Sequence, residues 1–405
     1  MRILSFQRLA HVSRSAHTIH TSLIAAAFAS AGAPCYTFPG DPACARIGFR
    51  RSNQAPQWIR ELYQYLDFKN LPSDLHFLPI NNRQRGFYGF LFRLAMFNAL
   101  RRCAFNTPKN DLCVCYTASV KDAAIALFLK RFHPNRKNIR VVFEIHHLVS
   151  KLKKGRAARR FYAMEKRAFS ACDLVVFNCE ALREQARGYL PEPRQAIVSP
   201  LGFNQRAIHP VRAPGAPEPS LESGRVQLAY VGSLQQGKGL ENLIQALSLL
   251  SDEYFLTIIG GREQSTLEAL QNYSSSLGVS DRVKFTGRVA QHSMPALLEK
   301  CDIFVIPLET EINYLAPMKM FEAIGFAVPV VATPMPSLQE MMKDRENALF
   351  SESPAPEHLA EAIRELGRNA ELRGQMRLAN EKLSETLTVE MRARKLVSEF
   401  ERLWS

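Results

Sequence analysis

Hydrophobic and polar positions follow two alternating rhythms along this chain. Short runs of β-branched and aromatic residues, at Ile3–Phe6, Cys35–Phe38, Leu112–Tyr116, Val141–Ile145 and Leu174–Asn178, read as strands. Between them lie stretches with a helical period at Thr21–Ala31, Lys121–Arg131 and Gly155–Phe169. The segment His209–Gly224 is rich in Pro, Gly and Ser, has no hydrophobic period, and reads as a linker. The alternation then resumes with strands Gln227–Val231, Phe255–Ile259, Val283–Thr286, Ile303–Leu308 and Val328–Thr333. Helices are expected at Leu240–Leu250, Ser265–Leu277, Met294–Lys300 and His358–Leu366, with a short helix opening at Pro317 and an amphipathic stretch Val389–Trp404. Apolar runs buried on both faces and joined by helices predict α/β architecture with doubly wound parallel sheets, one in each half.

The chain has 405 residues, 46% of them hydrophobic and 22% charged, which suits a globular protein of two or three domains. Eight cysteines without a repeating spacing do not build a disulfide framework. Cys113 and Cys115 would share one face of a strand instead of surrounding a metal, so the thiols read as reduced and mostly buried in a cytosolic protein. No apolar run has the length of a transmembrane helix. Ser22–Gly32 imitates a signal-peptide core, but its long polar lead suits a first buried helix better.

The net charge of +14 divides unevenly. Residues 1–215 carry 33 Lys and Arg against 12 Asp and Glu, or +21, and residues 216–405 carry 19 against 26, or −7. The densest cluster is Lys151–Arg167, preceded by Arg131–Arg140. Neither zinc-finger spacing nor an aromatic RNA-binding motif accompanies it, which argues against nucleic acid as the partner. An anionic membrane surface fits Gly86–Arg102, which is apolar, aromatic and ends in two arginines, although a core helix with a basic C-terminus fits equally.

Two places carry chemistry. Lys319 and Glu322 stand three apart on the helix opening at Pro317, and therefore on one face, beyond the strand Ile303–Leu308. A cation and a carboxylate there suit a phosphorylated, hydroxyl-bearing ligand, and a solvated surface pair is the alternative. The strand Gln227–Val231 runs into Gly232-Ser233-Leu234-Gln235-Gln236-Gly237-Lys238-Gly239 and then a helix. Glycines, a lysine and a helix N-terminus favour an anion, but the spacing is neither a Walker A loop nor GxGxxG. Alone it is equally a plain strand–helix loop.

The motifs YVGSLQQGKGLENLIQAL, LTIIGG, VKFTGRV, CDIFVIPL, PMKMFEAIGFAVPVVAT and ENALF occur in an order and spacing that resembles the second domain of retaining glycosyltransferases of family 4. That resemblance covers about residues 226 to 366. More faintly it extends over the first half, through Phe143-Glu144-Ile145-His146, CDLVVFN at Cys172–Asn178, and Pro200–Asn204. It implies a GT-B fold, two Rossmann-like domains facing a central cleft: an acceptor-side domain over 1–208, a linker over 209–224, and a nucleotide-sugar domain over 225–388. The terminal helix, 389–405, would pack back on the first domain.

The resemblance also implies roles. A nucleotide-diphosphate sugar would be bound by Gly232, Ser233, Lys238, Gly287, Arg288, Val289, Pro317, Lys319 and Glu322, with Lys238 on the diphosphate and Glu322 on the ribose hydroxyls. His146 would sit near the transferred sugar, completing a catalytic set of His146, Lys238 and Glu322, while Arg14, Ser15 and His17 are candidates for donor or acceptor contact. Tyr314 stands where many members have a second glutamate, a departure that resembles a subgroup with Pro-x-Lys-x-x-Glu in which Lys319 supplies anion contacts. Ser233 stands where an arginine is frequent, and Glu309 and Glu311 could reach the sugar. The expected reaction is sugar transfer with retention to a glycan, lipid-linked or small-molecule acceptor in the cytoplasm. It would need no metal and no cofactor beyond the donor, with peripheral attachment to the inner face of a membrane as an option. A nucleotide-sugar epimerase and a non-catalytic sugar-nucleotide-binding protein remain the alternatives.

Overall fold

Two parallel sheets, each with its own apolar core, underlie the two rhythms. The computed structural model describes residues 1–5, 16–37, 50–51, 62–64, 66, 70–77, 97–98, 101, 111–211, 224–261, 263–289, 293–309 and 317–404. The chain forms two units, Met1–Pro200 together with Val389–Ser405, and Leu201–Thr388.

In the first unit the strands are β1 (Arg2–Ser5), β2 (Cys35–Thr37), β3 (Arg50–Arg51), β4 (Leu75–Phe77), β5 (Cys113–Thr117), β6 (Ile139–Ile145), β7 (Leu174–Phe177) and β8 (Ala196–Val198). They are ordered β3-β4-β2-β1-β5-β6-β7-β8, and only β3 runs antiparallel to its neighbour among the described pairings. The helices are α1 (Ala16–Ser30), α2 (Val120–Phe132), α3 (Gly155–Ala171) and α4 (Glu180–Arg187). Because β5, β6 and β7 are consecutive neighbours, right-handed crossovers place α2 and α3 on the same face of the sheet. The segment Leu23–Ala29 of α1 is apolar all round, with Ile24, Ala25, Ala26 and Phe28 fully buried, because it is covered on two sides. Its Phe28 ring meets Tyr116 of the sheet edge-on at 5.1 Å and Phe400 of the terminal helix at 6.3 Å.

In the second unit the strands are β9 (Val226–Val231), β10 (Tyr254–Ile259), β11 (Val283–Gly287), β12 (Ile303–Ile306), β13 (Val330–Ala332) and β14 (Leu349–Phe350), ordered β11-β10-β9-β12-β13-β14 and all parallel. Its helices are α5 (Leu240–Ser248), α6 (Gln264–Ser276), α7 (Met294–Leu298), α8 (Met318–Gly325), α9 (Pro336–Gln339), α10 (Pro356–Arg368) and α11 (Ala370–Ser384). Helix α12 (Val389–Trp404) ends the chain inside the first unit, packed on α1. The strand order reverses at β9/β12, and in such sheets the carboxyl ends beside the switch point form the binding crevice.

The boundary between units falls at Leu201, not after residue 208. Phe203 N–H donates to Leu387 O at 3.0 Å, Val211 N–H donates to Phe326 O at 3.1 Å, and Phe203 and Ile208 press against Gly325 of α8. Those contacts tie 201–211 to the second unit before the linker begins. Residues 212–223 of that linker, and most of the expected aromatic segment 86–102, lie outside the described residues.

Candidate functional site

The site in the second unit begins with three glycines at the carboxyl ends of adjacent strands. Gly232, Gly260 and Gly287 end β9, β10 and β11, and they are linked by hydrogen bonds from Gly232 N–H to Ile259 O and from Gly260 N–H to Gly287 O, both 2.9 Å. Gly260 adopts φ +132°, and a β-carbon there would lie 1.9 Å from the Gly232 carbonyl oxygen. The result is a backbone floor with no side chains, open enough for a flat or charged ligand to approach closely.

The turn before helix α5 brings Lys238 within electrostatic range of Lys319. The helix is capped by Gly239 at φ +70°, where a β-carbon would fall 1.5 Å from Pro307 O, so only glycine lets α5 start against the end of β12. Lys238 precedes that cap and is half-buried.

Helix α8 delivers Lys319 and Glu322. Pro317 is its N-cap in extended conformation, which moves the helix start to Met318. Lys319 is 8% exposed, and its Nζ has no hydrogen-bond partner among the described residues. The ammonium lies 4.0 Å from the centroid of the Tyr230 ring, and a β-carbon on Gly232 would come within 3.3 Å of it. Tyr230 is held in place by its hydroxyl, which donates to Ser233 O at 2.7 Å. Burial above all, and then Lys238, pushes the Lys319 ammonium down to about 7, with Glu322 opposing. Burial likewise pushes the half-buried Glu322 carboxyl up to about 7, with Lys319 opposing.

A desolvated ammonium is costly unless paired. Here it rests on an aromatic face and points at a glycine floor beside a second lysine and a helix N-terminus. Such an arrangement favours an anion. Helix α11 packs on α8 and fastens the turn that follows it: Arg377 Nη1 donates to Ala327 O at 3.0 Å, and Asn380 Nδ2 donates to Val328 O at 3.1 Å and Asn347 O at 3.0 Å.

Gly232, Lys238, Lys319 and Glu322 are thus brought together. Exposed Ser233 contributes its carbonyl to Tyr230, while exposed Arg288 and half-buried Val289 follow Gly287 at the outer end of the floor. Half-buried Glu309 has its carboxyl raised by burial and by Glu241. Glu311, Tyr314, Arg14 and Ser15 lie outside the described residues, and His17 falls in α1 with its side chain undescribed. Tyr230 and Gly260 were not singled out from sequence. Their signals were a tyrosine two positions before Gly232 and the Gly260-Gly261 pair ending LTIIGG.

His146 belongs to the first unit, directly after β6 and half-buried. Its Nε2 lies 3.1 Å from Glu144 Oε1. Glu144 is fully buried, accepting from Tyr116 Oη at 2.7 Å and from Arg392 Nη2 of α12 at 2.6 Å. Arg392 Nε also donates to Ser199 Oγ at 3.2 Å. The loop after His146 is fastened by Ser150, whose N–H and hydroxyl both donate to buried Glu165 of α3. His147 is pushed down by burial, then by His146 and Lys153.

Two parallel α/β units, the second with Lys238 and Lys319 beside its switch point, define the GT-B class. The chain belongs to the glycosyltransferases, matching the Glycosyltransferase Family 4 model over residues 18–205 and the model for Glycosyl transferases group 1 over 216–383. It is 26% identical over 220 residues to a D-inositol 3-phosphate glycosyltransferase of Corynebacterium urealyticum, covering 50% of each chain. It is 30% identical over 150 residues to a GDP-mannose-dependent alpha-(1-6)-phosphatidylinositol monomannoside mannosyltransferase of Mycobacterium tuberculosis, covering 35% of this chain and 38% of that one. The matched stretches therefore span half the length of these relatives or less. In fold it is similar to Anabaena HepE in complex with UDP-glucose, with a TM-score of 0.71 and 16% identity over 99% of this chain and 100% of that one. Among the described residues no helix is long and apolar enough to cross a membrane, and no cluster of metal-ligating side chains occurs.

Proposed function

We propose that the chain transfers a sugar from a nucleotide-diphosphate donor to a glycan, lipid-linked or small-molecule acceptor, with retention of anomeric configuration. The observation that carries this reading is the buried Lys319 ammonium, without a hydrogen-bond partner among the described residues, beside Lys238 and aimed at the Gly232 turn. The donor diphosphate occupies that position, and Glu322 accepts hydrogen bonds from the ribose hydroxyls. The base lies towards Gly287–Val289, where a β-carbon on Gly287 would meet nothing within 4 Å. As the bond to the sugar breaks, charge grows on the leaving phosphate, and Lys238, Lys319 and the α5 N-terminus stabilise it. The leaving phosphate takes the acceptor proton, so no nucleophilic side chain is required. His146 is the first unit's candidate for contact with the transferred sugar. A relative named for GDP-mannose and a structural neighbour bound to UDP-glucose leave the base to experiment. A place in cell-envelope polysaccharide synthesis, on the cytoplasmic side and peripheral to the membrane, belongs to the same reading.

The test is acceptor-dependent release of nucleoside diphosphate from UDP-, GDP- and ADP-sugars. One donor class should turn over only with an acceptor present. Conversion of the donor sugar without acceptor would instead reveal an epimerase, and binding without turnover across a broad acceptor panel a non-catalytic binder.

A further inference from the structure

Glu144 and His146 stand two apart at the end of β6 and so share one face of the strand. Glu144 is fully buried, and each of its oxygens has a fixed neighbour. Oε2 accepts from Tyr116 Oη of β5 at 2.7 Å, and Oε1 accepts from Arg392 Nη2 of α12 at 2.6 Å. His146 Nε2 lies 3.1 Å from that same Oε1. Arg392 is itself anchored, because its Nε donates to Ser199 Oγ at 3.2 Å and Ser199 N–H donates to Phe177 O at 2.8 Å. The carboxylate is therefore gripped by β5, by α12 and, through Arg392, by the segment after β8.

A buried ion pair adds little net stability over apolar residues of the same size. What this one adds is a fixed acceptor beside an imidazole. A carboxylate has no proton to give, so the ring nitrogen that faces it carries the proton and the other nitrogen carries the lone pair. His146 Nε2 and Glu144 Oε1 stand at ion-pair distance without the alignment of a hydrogen bond. The torsion about Cβ–Cγ of a histidine is soft, and a turn of the ring brings the N–H onto the oxygen.

We propose that Glu144 is the positioning residue of His146: it holds the ring proton on Nε2 and presents Nδ1, as a hydrogen-bond acceptor, to a hydroxyl of the transferred sugar. The sugar contact rests on the reading of His146 given above, whereas the placement of the ring does not. Tyr116 and Arg392 act through Glu144 by holding it still. Helix α12, 248 positions further along the chain, thereby takes part in shaping the first unit's site.

The test is nuclear magnetic resonance of the full chain carrying isotope-labelled histidine, with the His146 signals identified by their loss in His146→Gln. At about pH 8, where an imidazole is ordinarily neutral, wild type should show a His146 ring N–H on Nε2 that is protected from exchange. Glu144→Leu/Arg392→Met removes the carboxylate and the cation together, so it should stay folded and lose the protected N–H. Glu144→Gln should keep it. Arg392 can only donate, so the amide oxygen stays at the position shared with His146, and Tyr116 turns to accept from the amide nitrogen.

Turnover should follow the ring. The double variant should lose about tenfold or more in kcat with donor affinity within about twofold, and Glu144→Gln should lose less. The proposal is overturned if wild type shows no protected Nε2–H, if the proton sits on Nδ1, if the signal survives in the double variant, or if that variant turns over like wild type. A ring that behaves as expected in a protein that transfers no sugar would count against the transferase reading and not against the placement of His146.

Discussion

Lys319 Nζ sits 4.0 Å from the centroid of the Tyr230 ring, buried and without a hydrogen-bond partner among the described residues. The ring offers part of what water would, but not the full solvation of an ammonium. Lys319→Met should therefore have opposite effects on stability and binding. The ligand-free protein should gain on the order of 1–3 kcal/mol, because an uncompensated buried charge is removed, while donor affinity should fall at least about tenfold with the loss of a charge-assisted contact. Thermal unfolding with and without nucleotide sugar checks both signs at once. A destabilised variant with normal donor affinity would mean that Lys319 is structural.

The pH dependence follows from Lys319 and Glu322 together. Lys319, depressed from 10.5 to about 7, meets a diphosphate as a cation only below that value, so donor affinity falls as pH rises through 7. Glu322, raised from 4.5 to about 7, accepts ribose hydroxyls fully only when ionised, so affinity also falls as pH drops below 7. Donor affinity should be bell-shaped with its maximum near 7, each limb falling at most about tenfold per pH unit. Lys319→Met should flatten the alkaline limb and Glu322→Gln the acid limb. Without ligand the same shifts act on stability in the other sense. Between about 7 and 10.5 the unfolded chain holds the lysine proton that the folded chain has lost, so stability rises with pH. Between 4.5 and about 7 the folded chain holds the extra glutamate proton, so stability falls as pH rises. Titration calorimetry across this range would show a flat profile if the two groups do not touch the donor.

Gly260→Ala tests the glycine floor. Its β-carbon would lie 1.9 Å from Gly232 O at a φ of +132°, so β9 and β10 must separate at their carboxyl ends. A loss of about 2–4 kcal/mol is expected, together with loss of the donor-induced thermal shift. An unchanged shift would mean that the floor is not where the donor lies.

In the first unit, Arg392 and Glu144 are separated by 248 positions yet meet at 2.6 Å, fastening α12 to β6. Arg392→Met leaves the fully buried Glu144 carboxylate short of its cation and should cost about 3–5 kcal/mol. Glu144→Leu/Arg392→Met should recover much of that loss. A double-mutant cycle by urea unfolding measures the coupling, and additive single effects would contradict it.

Strands such as β12 were legible because they are buried on both faces. The run Ile303–Leu308, for example, contains the observed Ile303–Ile306. Helix Ala370–Ser384 was missed because its buried face includes Arg373, Arg377 and Asn380, which reach backbone carbonyls and so read as polar in any hydrophobic period. Strands of two or three residues, such as Arg50–Arg51 and Leu349–Phe350, are too short to show an alternation. Within the site, helical spacing put Lys319 and Glu322 on one face, and only the family resemblance gave them ligand roles over a solvated surface pair. The burial of Lys319 was not, since it comes from Tyr230 and Gly232, nearly ninety positions away and brought close only by the pairing of β9 with β12. The Glu144–Arg392 pair was hidden for the same reason: its partners meet only after the chain returns to the first unit.

Isothermal titration of UDP-, GDP- and ADP-sugars into wild type, Lys238→Ala and Glu322→Ala tests the donor site most directly. One nucleotide class should bind wild type, and each substitution should weaken that binding about tenfold or more. Equal affinity in all three proteins would contradict the assignment.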